Sequence, residues 1–283
     1  MKRYLTAVLA LCMVIALCAC GSSNSSTSVL DTKVFRVVME CAYAPYNWTQ
    51  EDDSNGAVPI FESGDYANGY DVMIAKQIAD ANGWTLEIHK MDWDSIPLAV
   101  QSGAVDAGIC GQSITSERLT SMDFSDPYYY ASIVTLTTAD SPYASAQGLS
   151  DLAGAVCSSQ INTVWYDTCL PQIENADIQA AQNETAQLYV GLNSGLYDLI
   201  VVDEPTAMAA CVANPNFVLL NFYGTDDDFE VSAEEINIGI SVQKGNSGLV
   251  EICNRVLAGM NEENPNVYTD LMDEATAIQP LSE

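Results

Sequence analysis

The chain has 283 residues, 48% of them hydrophobic, and its 38 acidic side chains against nine basic ones give a formal charge of −29. That length suffices for two domains of ordinary size, and the acidity argues against nucleic acid or an anionic membrane surface as a partner, because no basic patch can be assembled. A single histidine and the absence of any CxxC pair argue against a zinc site.

In chain order, Lys2 and Arg3 precede an apolar run from Leu5 to Ala19. It is too short for a mature membrane span and reads as a signal peptide over residues 1–19. The run ends in Leu17-Cys18-Ala19-Cys20-Gly21, which looks like a lipobox with Cys20 as the acylated residue. Cys18 is an unusual occupant of its position, and a plain secretory signal is the alternative. Residues 20–32, with the tract GSSNSSTS, are expected to be the lipidated cysteine and a flexible tether. A diacylglycerol anchor gives stable membrane attachment, so the expected location is outside the cytoplasmic membrane, lipid-anchored at the cell surface. Cys41, Cys110, Cys157, Cys169, Cys211 and Cys253 then remain in the core, either as disulfides or as buried thiols.

Val34 to Glu40 is a β-branched run and a first strand. A helix is predicted from Asp71 to Asn82, with Asp71 as N-cap and Gly83 as its stop. Thr85 to His89 alternates as a half-buried strand, which makes His89 an ordinary strand residue. A helix from Asp94 to Gln101 and a strand from Val105 to Cys110 complete the unit. The second set comprises a strand Val156–Ser159, a helix from about Thr163 to Leu170, a helix Glu184–Leu192, a strand Leu199–Val202, a helix Pro205–Ala213 and a strand Phe217–Leu220. Ile236 to Val242 reads as the chain returning to the first unit, followed by a helix Leu249–Met260 and a last docked helix. Strands alternating with helices predict mostly parallel sheets flanked by helices. Two such lobes joined by two crossings place a ligand in the cleft between them, at carboxyl ends of strands.

Between the two sets lies QSITSERLTSMDFSDPYYY, Gln112 to Tyr130. Ser113 is a small hydroxyl that can open a helix, and Arg118 follows it by five residues. Such a pair, with the free N–H groups of a first turn, makes a receptor for a carboxylate. This stretch resembles the signature of the family 3 extracellular solute-binding proteins, the amino-acid receptors of ABC importers, whose pattern runs S/T-I-T-x-E-R and then D-F-S-x-P-Y. FRVVMECAYAPYNW, GYDVMIAKQIA, MDWDSIPLAVQSGAVDAGICG and SGLYDLIVVDEPTAM follow in the family's order, so the likeness covers about Lys33 to Lys244.

The resemblance implies a two-lobed, type II periplasmic-binding-protein fold, with lobe 1 over residues 33–137 and 239–283 and lobe 2 over 138–238. It implies that Arg118 clamps a ligand α-carboxylate, assisted by Ser113 and backbone N–H groups near Thr163. Asp203 would accept from the α-ammonium together with Ser113 and the Gly111 carbonyl, although as a residue it equally suits the N-cap of the helix that begins at Pro205. Tyr43 and Trp93 would sandwich the ligand side chain. Glu40, at the end of the first strand, would read its distal group and so favour a donor. The family's glycine-threonine turn is replaced by Gln160-Ile161-Asn162-Thr163, and the loop Gln50–Asn68 is long enough to form a lip on the cleft. The implied function is capture of a polar or cationic L-amino acid by a monomer and delivery to a membrane permease. A ligand-sensing module or a dehydratase-like enzyme on the same scaffold is the rival. No nucleophile–base pair, phosphate loop or metal cluster is visible, so no catalytic residue, metal or cofactor is expected.

Overall fold

The computed structural model describes residues 28–280. The expected signal peptide, Cys20 and most of the expected tether lie outside them. Val29–Thr32, placed in the tether by sequence, is one short helix capped by the Ser28 side chain.

Two five-stranded sheets organise the chain. The first runs in the order Thr85–Lys90, Val34–Met39, Ala107–Gly108, Ser241–Gln243, Met122–Phe124. The second runs Asp177–Ile178, Val156–Ser158, Leu199–Asp203, Ile133–Thr138, Phe217–Leu220. In each, a single strand runs against the rest: Ser241–Gln243 in the first and Ile133–Thr138 in the second. These two strands lie just beyond the crossings between the sheets. The crossings themselves pair as a short antiparallel ribbon, Tyr129–Tyr130 with Asn237–Ile238. Ile133–Thr138 therefore belongs to the second sheet, ahead of the boundary expected after residue 137.

The central strands are apolar because both of their faces are covered. Val37, Val38 and Met39 are fully buried, as are Leu199, Ile200, Val201 and Val202. Helices Tyr70–Asn82, Ile96–Ser102 and Ser247–Glu263 pack around the first sheet, and Thr185–Asn193 and Glu204–Ala213 around the second. The last helix, Val267–Ile278, touches both Tyr70–Asn82 and Glu204–Ala213.

Several expectations change in detail. Asp71 does not cap its helix. Gly69 takes that place, at a φ of 125° with its α-carbon against the Tyr46 carbonyl, where an added Cβ would meet that oxygen at 2.4 Å. The segment 50–68 is not a lip-like loop. Gln50, Val58–Pro59 and Tyr66–Asn68 belong to a small antiparallel sheet in the order Ala42–Tyr43, Asn47–Gln50, Tyr66–Asn68, Val58–Pro59, with turns between them. Ser113 opens no helix: it forms an isolated bridge with Ile238, and Arg118 begins a single 3-10 turn, Arg118–Thr120. The helix expected near Thr163 is a π-helical turn, Trp165–Cys169, followed by a 3-10 turn, Leu170–Gln172. The strand expected over 105–110 is limited to Ala107–Gly108. The cysteines left open by the sequence are free thiols, and only Cys211 among the six is not fully buried.

Candidate functional site

The candidate site sits where strands of the two sheets end. Glu40 follows Val34–Met39, and Gly111 lies three residues beyond the neighbouring parallel strand Ala107–Gly108. From the second sheet, Gln160 follows Val156–Ser158, and Asp203 ends Leu199–Asp203. Carboxyl ends of parallel strands in both lobes thus converge on one crevice.

Between them is a cavity of about 20 Å³. Lobe 1 lines it with Glu40, Tyr43, Trp93, Gly111, Ser113 and Arg118, and lobe 2 with Gln160, Thr163, Val164 and Trp165. The volume holds about one water and is far below the roughly 300 Å³ at which ligand pockets begin. Contacts across the cleft account for this. Trp93 Nε1 donates 3.0 Å to the Ile161 carbonyl. Arg118 Nη2 donates 3.0 Å to the Asn162 carbonyl while Nη1 donates 2.9 Å to Ser113 within its own lobe. Gln160 Nε2 approaches the Glu40 carboxylate at 3.3 and 3.4 Å. The Tyr43 hydroxyl donates to Asp203.

Seven of the eight expected binding residues line this cavity, and Asp203 reaches it through Tyr43. Each is held by a partner. Tyr43 stacks on Tyr46, centroids 4.8 Å apart, and faces Trp165 at 6.2 Å. Gly111 has a φ of 65°, and a Cβ there would meet Tyr43 Cε1 at 2.6 Å, so only glycine lets that ring approach. The Ser113 hydroxyl donates 3.2 Å to the Glu235 carbonyl, which ties it to the second crossing. Thr163 Oγ1 donates 2.7 Å to the Gln160 carbonyl and accepts from the Tyr166 amide, fixing the replaced turn. Asp203 serves as N-cap after all: Oδ1 accepts 2.9 Å from the Thr206 amide, which leaves Oδ2 for Tyr43. The two readings of Asp203 are compatible because each uses a different oxygen.

The electrostatics are distinctive. The half-buried Arg118 guanidinium lies 5.5 Å from the centre of the Trp93 ring. Among the described residues it meets no carboxylate at ion-pair distance, and burial lowers its pKa. Glu40 is 4% exposed and also lacks a cation. Burial pushes its pKa up to about 7, against the opposing bond from Gln160. Asp203, 3% exposed, is pushed up to about 6 by burial, with the bonds from Tyr43 and Thr206 opposing. Among the described residues, Arg118 and Glu40 thus line the crevice without an opposite charge, and Asp203 lies behind Tyr43, hydrogen-bonded but also without a cation. Buried charges of this kind are costly until a partner arrives.

Gln160 and Trp165 were not foreseen as site residues. Gln160 was visible only as part of an altered turn, and Trp165 was read as one position of a helix. An outer groove of about 570 Å³ shares Trp93, Arg118, Thr163 and Val164 with the cavity and carries Asp94, Glu117, Asp167, Glu234 and Glu235.

Residues 35–266 match the bacterial extracellular solute-binding proteins, family 3. The chain is similar to the arginine-binding extracellular protein ArtP of Bacillus subtilis (strain 168), 27% identical over 263 residues that cover 93% of this chain and 94% of that protein. It is also similar to a probable histidine-binding protein of Neisseria gonorrhoeae, 27% identical over 274 residues, covering 93% and 91%. The crystal structure of the substrate binding protein of an amino acid ABC transporter superposes with a TM-score of 0.69 at 27% identity, covering 85% of this chain and 98% of that one.

Proposed function

The chain belongs to the bacterial extracellular solute-binding proteins, family 3, and from that membership we propose that it captures an L-amino acid with a polar or cationic side chain and delivers it to an ABC permease. The likeness to amino-acid-binding relatives along nearly their whole length supports the importer reading. The single observation that carries the ligand class is the charge pattern of the site: among the described residues, Arg118 and Glu40 on lobe 1 and Asp203 on lobe 2 each lack an opposite charge at ion-pair distance. A zwitterion satisfies Arg118 through its carboxylate and Asp203 through its ammonium. Glu40 then remains, and a guanidinium, ammonium or imidazolium neutralises it. Arginine, lysine and histidine are accordingly placed ahead of glutamine and cystine.

In this account the ligand docks first on lobe 1, where Arg118 and Ser113 receive the carboxylate and Tyr43 and Trp93 flank the side chain. Closure then brings Thr163, Trp165 and Asp203 against it. Docking must displace the Tyr43 hydroxyl from Asp203 and the Gln160 amide from Glu40, so the lobes have to part before they close again. Ligand shifts the population toward the closed form only by contacts made in that form. A permease that recognises the closed form would receive loaded protein.

The location proposed is outside the cytoplasmic membrane, with a lipid on Cys20 as the attachment, and the protein is taken to act as a monomer. Among the described residues no helix is long and apolar enough to cross a membrane. Cell fractionation tests the anchor: the native chain should stay with membranes, and Cys20→Ala should not.

A thermal-shift screen against the twenty amino acids plus ornithine, citrulline and cystine tests the function. Stabilisation by arginine, lysine or histidine supports it. Best stabilisation by leucine or glutamate contradicts the ligand class, and no shift with any of them contradicts the amino-acid reading. The dehydratase-like alternative would require a positioned general acid. Glu40 has a raised pKa, but its placement opposite the Gln160 amide is equally suited to holding a cation.

A further inference from the structure

We propose that Asp71 is the positioning residue of the binding site, a buried carboxylate that holds both lobe 1 loops of the cavity in register. The inference rests on the binding function proposed above. Asp71 is fully buried and makes no contact with the cavity itself. One oxygen accepts 2.7 Å from Asn47 Nδ2, and the other accepts 2.6 Å from the Tyr128 hydroxyl. The Gly111 N–H in turn donates 3.3 Å to the Tyr128 hydroxyl oxygen.

Each partner leads to one wall of the cavity. Asn47 Oδ1 accepts 2.7 Å from the backbone N–H of Cys41, which sits at a φ of 54° between Glu40 and Ala42. A non-glycine residue in that region is strained and persists only where its surroundings impose it. Asn47 imposes it here, and Asp71 orients Asn47. The direction in which Glu40 leaves its strand and Tyr43 enters the cavity is thereby fixed. The other arm fixes Gly111, whose α-carbon faces the Tyr43 ring and whose chain continues into Ser113.

The chemistry requires an acceptor with two free oxygens. With Asn47 Oδ1 committed to Cys41, its Nδ2 can only donate, and the Tyr128 hydroxyl, whose oxygen accepts from Gly111, also donates. An asparagine at position 71 would turn one of its own N–H groups toward a donor and leave a buried group unpaired. A cap at this position would tolerate that exchange, so Asp71→Asn separates a capping aspartate from a positioning one.

The test uses the full chain, comparing wild type, Asp71→Asn and Tyr128→Phe by hydrogen exchange of the free protein and by calorimetric titration with L-arginine. Asp71→Asn should speed exchange at the Cys41 and Gly111 amides while leaving Leu199–Asp203 unchanged, and should weaken arginine binding about tenfold or more. Tyr128→Phe, which keeps the ring and removes one donor, should act in the same direction to a smaller extent and serves alone if Asp71→Asn does not fold. Unchanged exchange at Cys41 and Gly111 would overturn the inference. So would acceleration spread evenly through Val34–Met39 and Thr85–Lys90, which marks a merely structural loss. If wild type binds no amino acid, the functional reading fails by itself, and exchange at Cys41 and Gly111 still decides whether Asp71 holds the two loops.

Discussion

The Glu40 carboxylate of one lobe faces the Gln160 amide of the other at 3.3 and 3.4 Å, and among the described residues no cation lies at ion-pair distance from it. An amide dipole compensates a buried carboxylate only in part, which is why burial still dominates and raises the pKa of Glu40. A ligand cation inserted between the two would gain the full charge–charge interaction.

Replacing Glu40 by glutamine should therefore discriminate between ligands. Removing one partner of a buried, hydrogen-bonded charge pair typically costs about 2–5 kcal/mol. Affinity for arginine or lysine should fall by roughly thirtyfold or more, while glutamine should bind no worse than to wild type. Competition titrations on the same preparation check this. Equal losses for charged and uncharged ligands would remove Glu40 from side-chain recognition.

The buried carboxyl groups also set a pH dependence. Glu40 and Asp71 are pushed up to about 7 and Asp203 to about 6, each by burial, from ordinary values of 4.5 for the glutamate and 3.8 for the aspartates. Between the ordinary and the raised values the folded state binds more protons than the unfolded one, so these groups lower stability as pH rises. Their contribution should make the ligand-free protein melt higher near pH 5 than near pH 8. A cationic ligand requires Glu40 ionised, so its affinity should run the opposite way and rise between about pH 6 and pH 8. Melting temperatures with and without arginine across this range test both signs.

Gly111→Ala should damage the site without touching a polar group. The added methyl would sit 2.6 Å from Tyr43 Cε1 at a backbone φ of 65°. Strain of this type costs about 1–3 kcal/mol, and Tyr43 must move to relieve it. The expected result is a lower melting temperature together with weaker ligand binding, read by scanning calorimetry and titration.

Much of this architecture could be read from the sequence, for identifiable reasons. Val37–Met39 and Leu199–Val202 are buried apolar runs, a pattern that marks central strands, and Glu40 and Asp203 are the polar residues at which those runs stop. Arg118 was legible because its motif is dense and continuous. Trp165 and Gln160 were not, because residues 160–170 carry a helix-like spacing but fold as a turn and a π-helical stretch that aims the indole into the cleft. The small sheet within residues 42–68 escaped notice because its strands are two to four residues long, too short for alternation to register. Asp71 looked like a helix cap because aspartate at a helix start usually is one. Its true partners, Asn47 and Tyr128, are 24 and 57 residues away in sequence.

The central claim is that an amino-acid zwitterion is held between Arg118 and Asp203. Calorimetric titration of wild type and Arg118→Ala with L-arginine and with agmatine, which lacks the carboxylate, tests it most directly. The account predicts that wild type prefers arginine to agmatine and that Arg118→Ala, losing roughly thirtyfold or more for arginine, no longer distinguishes the two. Near-normal arginine affinity in Arg118→Ala, or a wild type that binds agmatine as well as arginine, would contradict it.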